Sequence, residues 1–473
     1  MLILGLLLPV SLGLTISWLI IADVPVLERL GLGYALGFGF LTLAMFFLNV
    51  LGINFSLINT VIFVSGVIGV SLMFLRRKNW RGWLLSARLS SSRRMKGIVR
   101  SLSVFEKILI GLVIFFILSN LMIAVYWPVW WSDSLTCFDL RAKLFHEVQS
   151  FPEAMAILRD RVLKENFGFY VFEKPPMTSL VHTWLYLCGW TNPKVFYSLL
   201  FLSLAVIFYH SLRDYVQRYH SLLFTLILVT TPYIYIHATN SYTNFTFAFY
   251  FSVATFYLYR WLSTQKKGFL VLAGIFLGLT SWIRKESTIF FLGYLIILSF
   301  FSIYRRRFFA PLIFCLLYFS IMPLWELYGK IVFHFQRVGG PGGISGITAI
   351  LTMSSRFLDF LRWKDVLTFF WNDILAWVRI VFYMLILSVL LYIDRIRRHL
   401  FLFLIVVLDI ALFLTGTYVT TLRDGFAGSL GSARRLFLMF LPIIWYFVAL
   451  ITAEPKSPDS NTESVDVSVG SRF

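Results

Sequence analysis

Long apolar runs broken by short polar and basic clusters set the pattern of this chain. Read as membrane spans of about 17 to 25 residues, the runs predict about thirteen helices, near residues 1–22, 32–53, 57–75, 107–127, 195–212, 221–237, 243–262, 268–283, 287–304, 308–328, 376–393, 399–418 and 436–453. The basic clusters fix their direction. The stretch from Arg76 to Lys107 carries ten Lys and Arg against Glu106 alone, which the positive-inside rule assigns to the cytoplasm. Arg213 to Arg218, Lys266 with Lys267, Arg305 to Arg307, and Arg395 to Arg398 with His399 then fall on that same side. The link holding Asp23, Glu28 and Arg29 adds almost no orientation signal of its own.

The same parity excludes one apolar piece as a span. Met177 to Trp190 is too short, and crossing there would invert every later loop. It is predicted to lie along the outer face or dip into it, opened by Pro175-Pro176, which suits a helix start. The expected fold is therefore an all-α polytopic bundle with juxtamembrane helices on its outer face. Its predicted parts are a three-span extension with a basic loop (1–106), a membrane domain (107–453) and a polar, Ser-rich, disordered cytoplasmic tail (454–473).

Composition agrees: of 473 residues 59% are hydrophobic and 14% charged, and the mean hydropathy is +0.80. No basic residue precedes the first apolar run, which favours a retained span over a cleaved signal peptide. A formal net charge of +19 would suit nucleic acid, but the cations sit in clusters between spans, where topology and anionic lipid account for them. Three cysteines, Cys137, Cys188 and Cys315, supply neither a disulfide scaffold nor a Cys-x-x-Cys metal pair.

Chemistry is expected in the outer segments. The loop 128–176 begins beside Tyr126-Trp127-Pro128-Val129-Trp130-Trp131-Ser132-Asp133, which sets a carboxylate at the lipid boundary, where it is costly. Asp133 could serve as a general base, as a cap for the helix starting near Ser134, or as a metal ligand. Metal ligation is the weakest of these, because Asp133 and Asp139 do not form a D-x-D pair. Asp139 would point about a third of a turn away on a regular helix, and Lys143 and His146 could continue the polar face. The loop 329–371 holds Val338-Gly339-Gly340-Pro341-Gly342-Gly343, which suits a flexible lid or a plain connector.

Two outer links place cations on the side where they are not expected: Trp282-Ile283-Arg284-Lys285-Glu286, and the stretch from Thr421 to Arg435, which ends in Gly431-Ser432-Ala433-Arg434-Arg435 just ahead of the last span. Small residues, a hydroxyl and two guanidinium groups at a helix start suit an anion such as a lipid phosphate. Arginines that merely anchor the helix are the alternative.

In order along the chain stand Trp131-Ser132-Asp133, Lys174-Pro175-Pro176-Met177, the run from Pro232 to Tyr242, Gly278 to Glu286, and Gly431 to Arg435. Over about Leu109 to Ile451 this layout resembles the GT-C superfamily of membrane glycosyltransferases, which includes protein mannosyltransferases and aminoarabinose transferases. The resemblance implies transfer of a sugar from a polyprenyl-phosphate donor to a glycan, lipid or protein acceptor on the extracytoplasmic face of the cell membrane, with inversion. It makes Asp133 the general base, with Asp139 the second candidate. Lys174, Arg284 and Lys285 would balance the leaving phosphate, and Arg434 and Arg435 would grip the carrier. Lys143, His237, Asn240, Tyr242 and Glu286 are the remaining substrate-binding candidates. No cofactor is implied, and a divalent metal is not favoured. The chain departs from the family in carrying Ser134 directly after Asp133, Asn244 where relatives often carry an acid, and three spans ahead of the usual first one.

A flippase or other transporter of lipid-linked sugars is the competing class. Such proteins tend to show matched halves and charges near the midplane. No internal repeat is visible here, and after Val195 Glu286, Glu326 and Asp409 are the main acids within apolar runs.

Overall fold

The computed structural model describes residues 1–77, 102–131, 133–158, 174–333 and 359–455. The basic loop, the glycine-rich part of 329–371 and most of the tail lie outside the described residues. Within them every named element is helical. The first helices are α1 (Leu2–Ile20), α2 (Val26–Val50), α3 (Leu57–Arg77) and α4 (Val104–Tyr126). A π-helix (Ser134–Asp139) leads into α5 (Leu140–Val148), α6 (Phe151–Ile157) and α7 (Met177–Leu187). The body continues with α8 (Val195–Arg213), α9 (Arg218–Thr230), α10 (Pro232–His237), α11 (Thr243–Thr264), α12 (Lys267–Ser281), α13 (Ser287–Tyr304), α14 (Phe309–Phe319) and α15 (Leu324–Val332). Last come α16 (Phe360–Phe369), α17 (Arg379–Leu391), α18 (Ile393–Ile396), α19 (Leu400–Phe437) and α20 (Leu441–Thr452).

Among the described residues nine helices are long and apolar enough to cross a membrane, or ten if the pair Phe360–Trp377 and Arg379–Leu391, bent by 109°, counts as one broken span. The chain is thus a multi-pass membrane protein. The other predicted spans differ for identifiable reasons. Pro232 divides 221–237 into α9 and α10, with Pro at the first turn of α10. α11 is rich in Tyr, Thr and Ser and lies among other helices, so it needs little apolar surface toward lipid. α12 has 15 residues.

The first two helices are built into the bundle rather than added to its edge. The span in α2 is 83% buried, against 17% for α3. Small residues allow this. A Cβ on Gly13 would lie 1.9 Å from the Gly33 carbonyl oxygen, and one on Gly37 would lie 1.8 Å from that of Pro9, so only glycine permits α1 and α2 to approach so closely. Tyr250 donates to the Ala35 carbonyl at 2.6 Å and Tyr34 to that of Phe196 at 3.0 Å, stitching α2 to α11 and α8.

Polar contacts gather at two ends of the bundle. At one, Glu28 pairs with Arg260, which also meets Asp214 at 2.8 Å; Arg218 pairs with Glu106 at 2.6 Å, and Arg395 donates to the Ile451 carbonyl at 3.1 Å. This basic end collects the loops that the parity assigns to one side. At the other end of α2, Asn49 accepts from Tyr328 at 2.9 Å, and Trp184 of α7 donates to the Gly5 carbonyl at 2.8 Å. Glu28 and Asn49 are about 30 Å apart at the helical rise, so the two sets occupy opposite ends. The short helix expected at Met177 to Trp190 appears as α7, with Pro176 as its N-cap.

Candidate functional site

A cavity of about 640 Å³ opens at the end opposite the basic loops. Five separate parts of the chain build it. The π-helix and its N-cap bring Phe138 and Asp133, and the corner before α7 brings Lys174 and Pro175. The start of α11 supplies Tyr242 and Asn244, and the turn before α13 supplies Arg284, Lys285 and Glu286. α19 closes the cavity from both sides of a kink at Gly425, whose φ of 70° and ψ of 173° belong to a region essentially reserved for glycine. Beyond the kink Ser432 and Arg435 face the cavity. Before it, Leu412, Phe413, Gly416 and Val419 join Ile289 and Phe290 of α13 in an apolar wall.

Of the residues expected from sequence, Asp133, Lys174, Tyr242, Arg284, Lys285, Glu286 and Arg435 therefore share one cavity. Arg435 donates to Asp133 through Nη1 at 2.7 Å, and its guanidinium lies 5.1 Å from the centre of the Tyr242 ring. Asp133 stands at the N-cap position of the π-helix, yet its side chain makes no capping hydrogen bond. Of the roles open to it in the sequence, the cap is not the one it takes. Arg284 donates to Glu286 at 2.7 Å and to the Asn244 amide oxygen at 2.7 Å, so the amide at position 244 serves as an acceptor for the same arginine. Enclosure by protein would raise the Glu286 carboxyl, but Arg284 outweighs it and holds the group down to about 2. Four cations face two carboxylates, leaving a surplus of two positive charges on the lining.

The remaining expected residues lie elsewhere. Asp139 and Lys143 line a second cavity of about 360 Å³, together with Tyr186, Asn192 and Tyr126. The π-helix thus lies between the two cavities, with Asp133 and Phe138 lining one and Leu135 and Asp139 the other. Lys143 sits 3.0 Å from Asp139, one helical turn on, and Tyr186 donates to the same carboxylate. Burial would raise Asp139, but His182, Tyr186 and Lys143 together hold it down to about 2. Arg434 donates instead to the Asp373 carbonyl at 3.0 Å. His237 is buried against the Tyr233 ring, and Asn240 is buried with its amide nitrogen lacking a hydrogen-bond partner. His146 lies 3.5 Å from Glu147 and lines neither cavity. Among the described residues, no three His, Cys, Asp or Glu side chains converge as metal ligands. All three cysteines are free thiols.

Sequence reasoning missed Arg141. Fully buried, it donates through Nε to Ser179 Oγ at 2.8 Å, and through its two Nη atoms to the Lys174 and Pro175 carbonyls at 2.7 and 3.0 Å. Burial pulls its pKa down to about 9, still high enough to keep the guanidinium charged at neutral pH. It pins the Pro-Pro corner and so sets where Lys174 leaves the backbone. The signal was present: Phe138, Arg141, Ala142 and Phe145 recur at helical spacing, so the arginine belongs to an apolar face.

No family model, no curated protein and no solved structure matches this chain.

Proposed function

We propose that this protein is a GT-C-like glycosyltransferase that takes a sugar from a polyprenyl-phosphate donor. The observation that carries this reading is a single cavity combining a carboxylate, a cationic surplus of two and an apolar wall. A polyprenyl-phosphate sugar has the matching parts: a long apolar tail, an anionic phosphate and a hydroxyl-rich head. The tail would lie along Ile289, Phe290, Leu412 and Phe413, with the phosphate among Lys174, Arg284, Lys285 and Arg435. On the positive-inside rule the cavity faces away from the cytoplasm, because the basic loops gather at the opposite end. The thirteen-span count belongs to the same proposal, with the divided, shorter and bent helices crossing inside the bundle.

The acceptor hydroxyl attacks the anomeric carbon while the bond from that carbon to the phosphate oxygen breaks, and Asp133 takes the hydroxyl proton. The bonding electrons leave with the phosphate. Its growing charge meets the cations that line the cavity, of which Arg284 is held by Glu286 and Asn244, which favours the transition state over the ground state. Glu286 keeps Arg284 aimed at the cavity.

The test is release of free polyprenyl phosphate from a panel of polyprenyl-phosphate sugars, by purified protein in lipid, with the native chain and Asp133→Asn side by side. Release that collapses in the variant supports the transferase with Asp133 as base. Labelled lipid crossing the bilayer with no release from any donor would overturn it in favour of a flippase.

A further inference from the structure

We infer that Arg435 holds Asp133 in check until a phosphate claims the arginine, so that the phosphate-bearing substrate must bind before the base is free. The inference rests on the transferase reading above and adds an order of binding to it.

A carboxylate can serve as a general base only while a lone pair faces the proton it is to remove. Asp133 instead accepts a charge-assisted hydrogen bond of 2.7 Å from Arg435, which engages it with the wrong partner. The pair is only partly shielded, with side chains 36% and 26% exposed, and both line the cavity. An ion pair so open to solvent is worth no more than about 1 kcal/mol and yields to a better partner.

Phosphate is that partner. Asp133 receives one nitrogen of Arg435, whereas phosphate oxygens can engage the planar fork through two parallel bonds. Lys174, Arg284, Lys285 and the Ser432 hydroxyl stand around the same space. The Tyr242 ring beneath the guanidinium gives it a surface on which to turn while staying in place. Arg435 lies beyond the Gly425 kink, after Gly428, Ser429 and Ser432, in a stretch without bulky side chains toward the cavity. Once phosphate occupies the guanidinium, Asp133 is left at the cavity edge with no other cation among the described residues at hydrogen-bonding distance, ready to accept from a hydroxyl. An acceptor arriving alone meets a base that is already engaged.

Carbodiimide labelling of carboxyl groups, followed by peptide mass spectrometry, reads this directly on the intact protein in lipid nanodiscs. Farnesyl phosphate is the probe, and its binding is followed separately by native mass spectrometry. Exposed Glu153, outside the cavity, is the internal reference. In the native chain, saturating farnesyl phosphate is expected to raise Asp133 labelling roughly fivefold relative to Glu153, the factor that about 1 kcal/mol represents. In Arg435→Ala, labelling should be high from the outset and unmoved by the phosphate; Arg435→Gln carries the same comparison should the alanine variant lose its thermal transition. Farnesyl phosphate that binds while native Asp133 labelling stays level overturns the order of binding and leaves the transferase reading intact. Failure of farnesyl phosphate and of a polyprenyl phosphate to bind at all overturns both.

Discussion

The two ends of the bundle use charge in opposite ways. At the basic end Glu28, Arg260 and Asp214 meet inside the protein, with Glu28 fully buried and also accepting from Tyr257 at 2.6 Å, and Arg29 lies against the Trp18 ring. Their contacts are with one another, with Tyr257 and, for Arg29, with the Ile21 and Ala22 carbonyls, and the Glu28–Arg260 pair ties α2 to α11. At the cavity end Asp133, Lys174, Lys285, Glu286 and Arg435 share an open space in which cations outnumber anions. Charges paired inside the protein join helices; charges left in excess around a space can act on something that enters it.

Four measurements would break or sharpen that contrast. The largest effect is expected for Asp133→Asn, with sugar transfer falling on the order of 10²- to 10⁴-fold while the thermal midpoint holds. A midpoint that falls with the activity would put Asp133 among the structural charges. Next, Arg260→Ala leaves Glu28 buried without its cation and should cost about 3–5 kcal/mol of stability, read as a large drop in thermal midpoint in detergent. A double variant replacing both partners by apolar residues should recover most of it; failure to recover would mean the pair does more than join helices.

Asp139 is the intermediate case, a cavity-lining acid that behaves like a structural one. Its folded pKa of about 2 lies below the ordinary 3.8, so its contribution is present above about pH 4 and is lost as pH falls through 2. The shift corresponds to about 2 kcal/mol. Thermal midpoints of the native chain and Asp139→Asn should therefore differ above pH 5 and converge as pH falls toward 2; a gap that persists at pH 2 would remove the ion pair as its cause. The smallest effect belongs to Tyr242→Leu, which removes the ring under Arg435. Prenyl phosphate affinity should weaken about two- to fivefold, as a partly exposed cation–π contact of about 0.5–1 kcal/mol implies. No change would show that the arginine is held by its other contacts alone.

The sequence made these two ends legible to different degrees. Lys and Arg clusters at Arg213 to Arg218, Lys266 and Arg395 mark one end because that signal is written in single loops. The cavity end was legible as a set of cations out of place, Arg284, Lys285 and Arg435, but not as pairs. The Arg435 and Asp133 partners stand 302 positions apart, and no local pattern joins them. Local pattern also failed where two features compete for one residue. Arg141 reads as surface until its helical neighbours Phe138, Ala142 and Phe145 are counted. Asp139 follows Asp133 closely but lines a different cavity, as the third of a turn between them on a helix requires, and nothing in the sequence shows a second cavity on that side. The glycines that let α1 and α2 approach were visible as Gly13, Gly33 and Gly37, though their partners were not.

The apolar wall formed by α13 and α19 also has a bearing on rate. A lipid that reaches the charged groups along Ile289, Leu412 and Phe413 searches in two dimensions, and its encounters scale with its mole fraction in the bilayer. Adding buffer to such a preparation should leave turnover per protein unchanged. Adding inert lipid to the same vesicles should slow it in proportion.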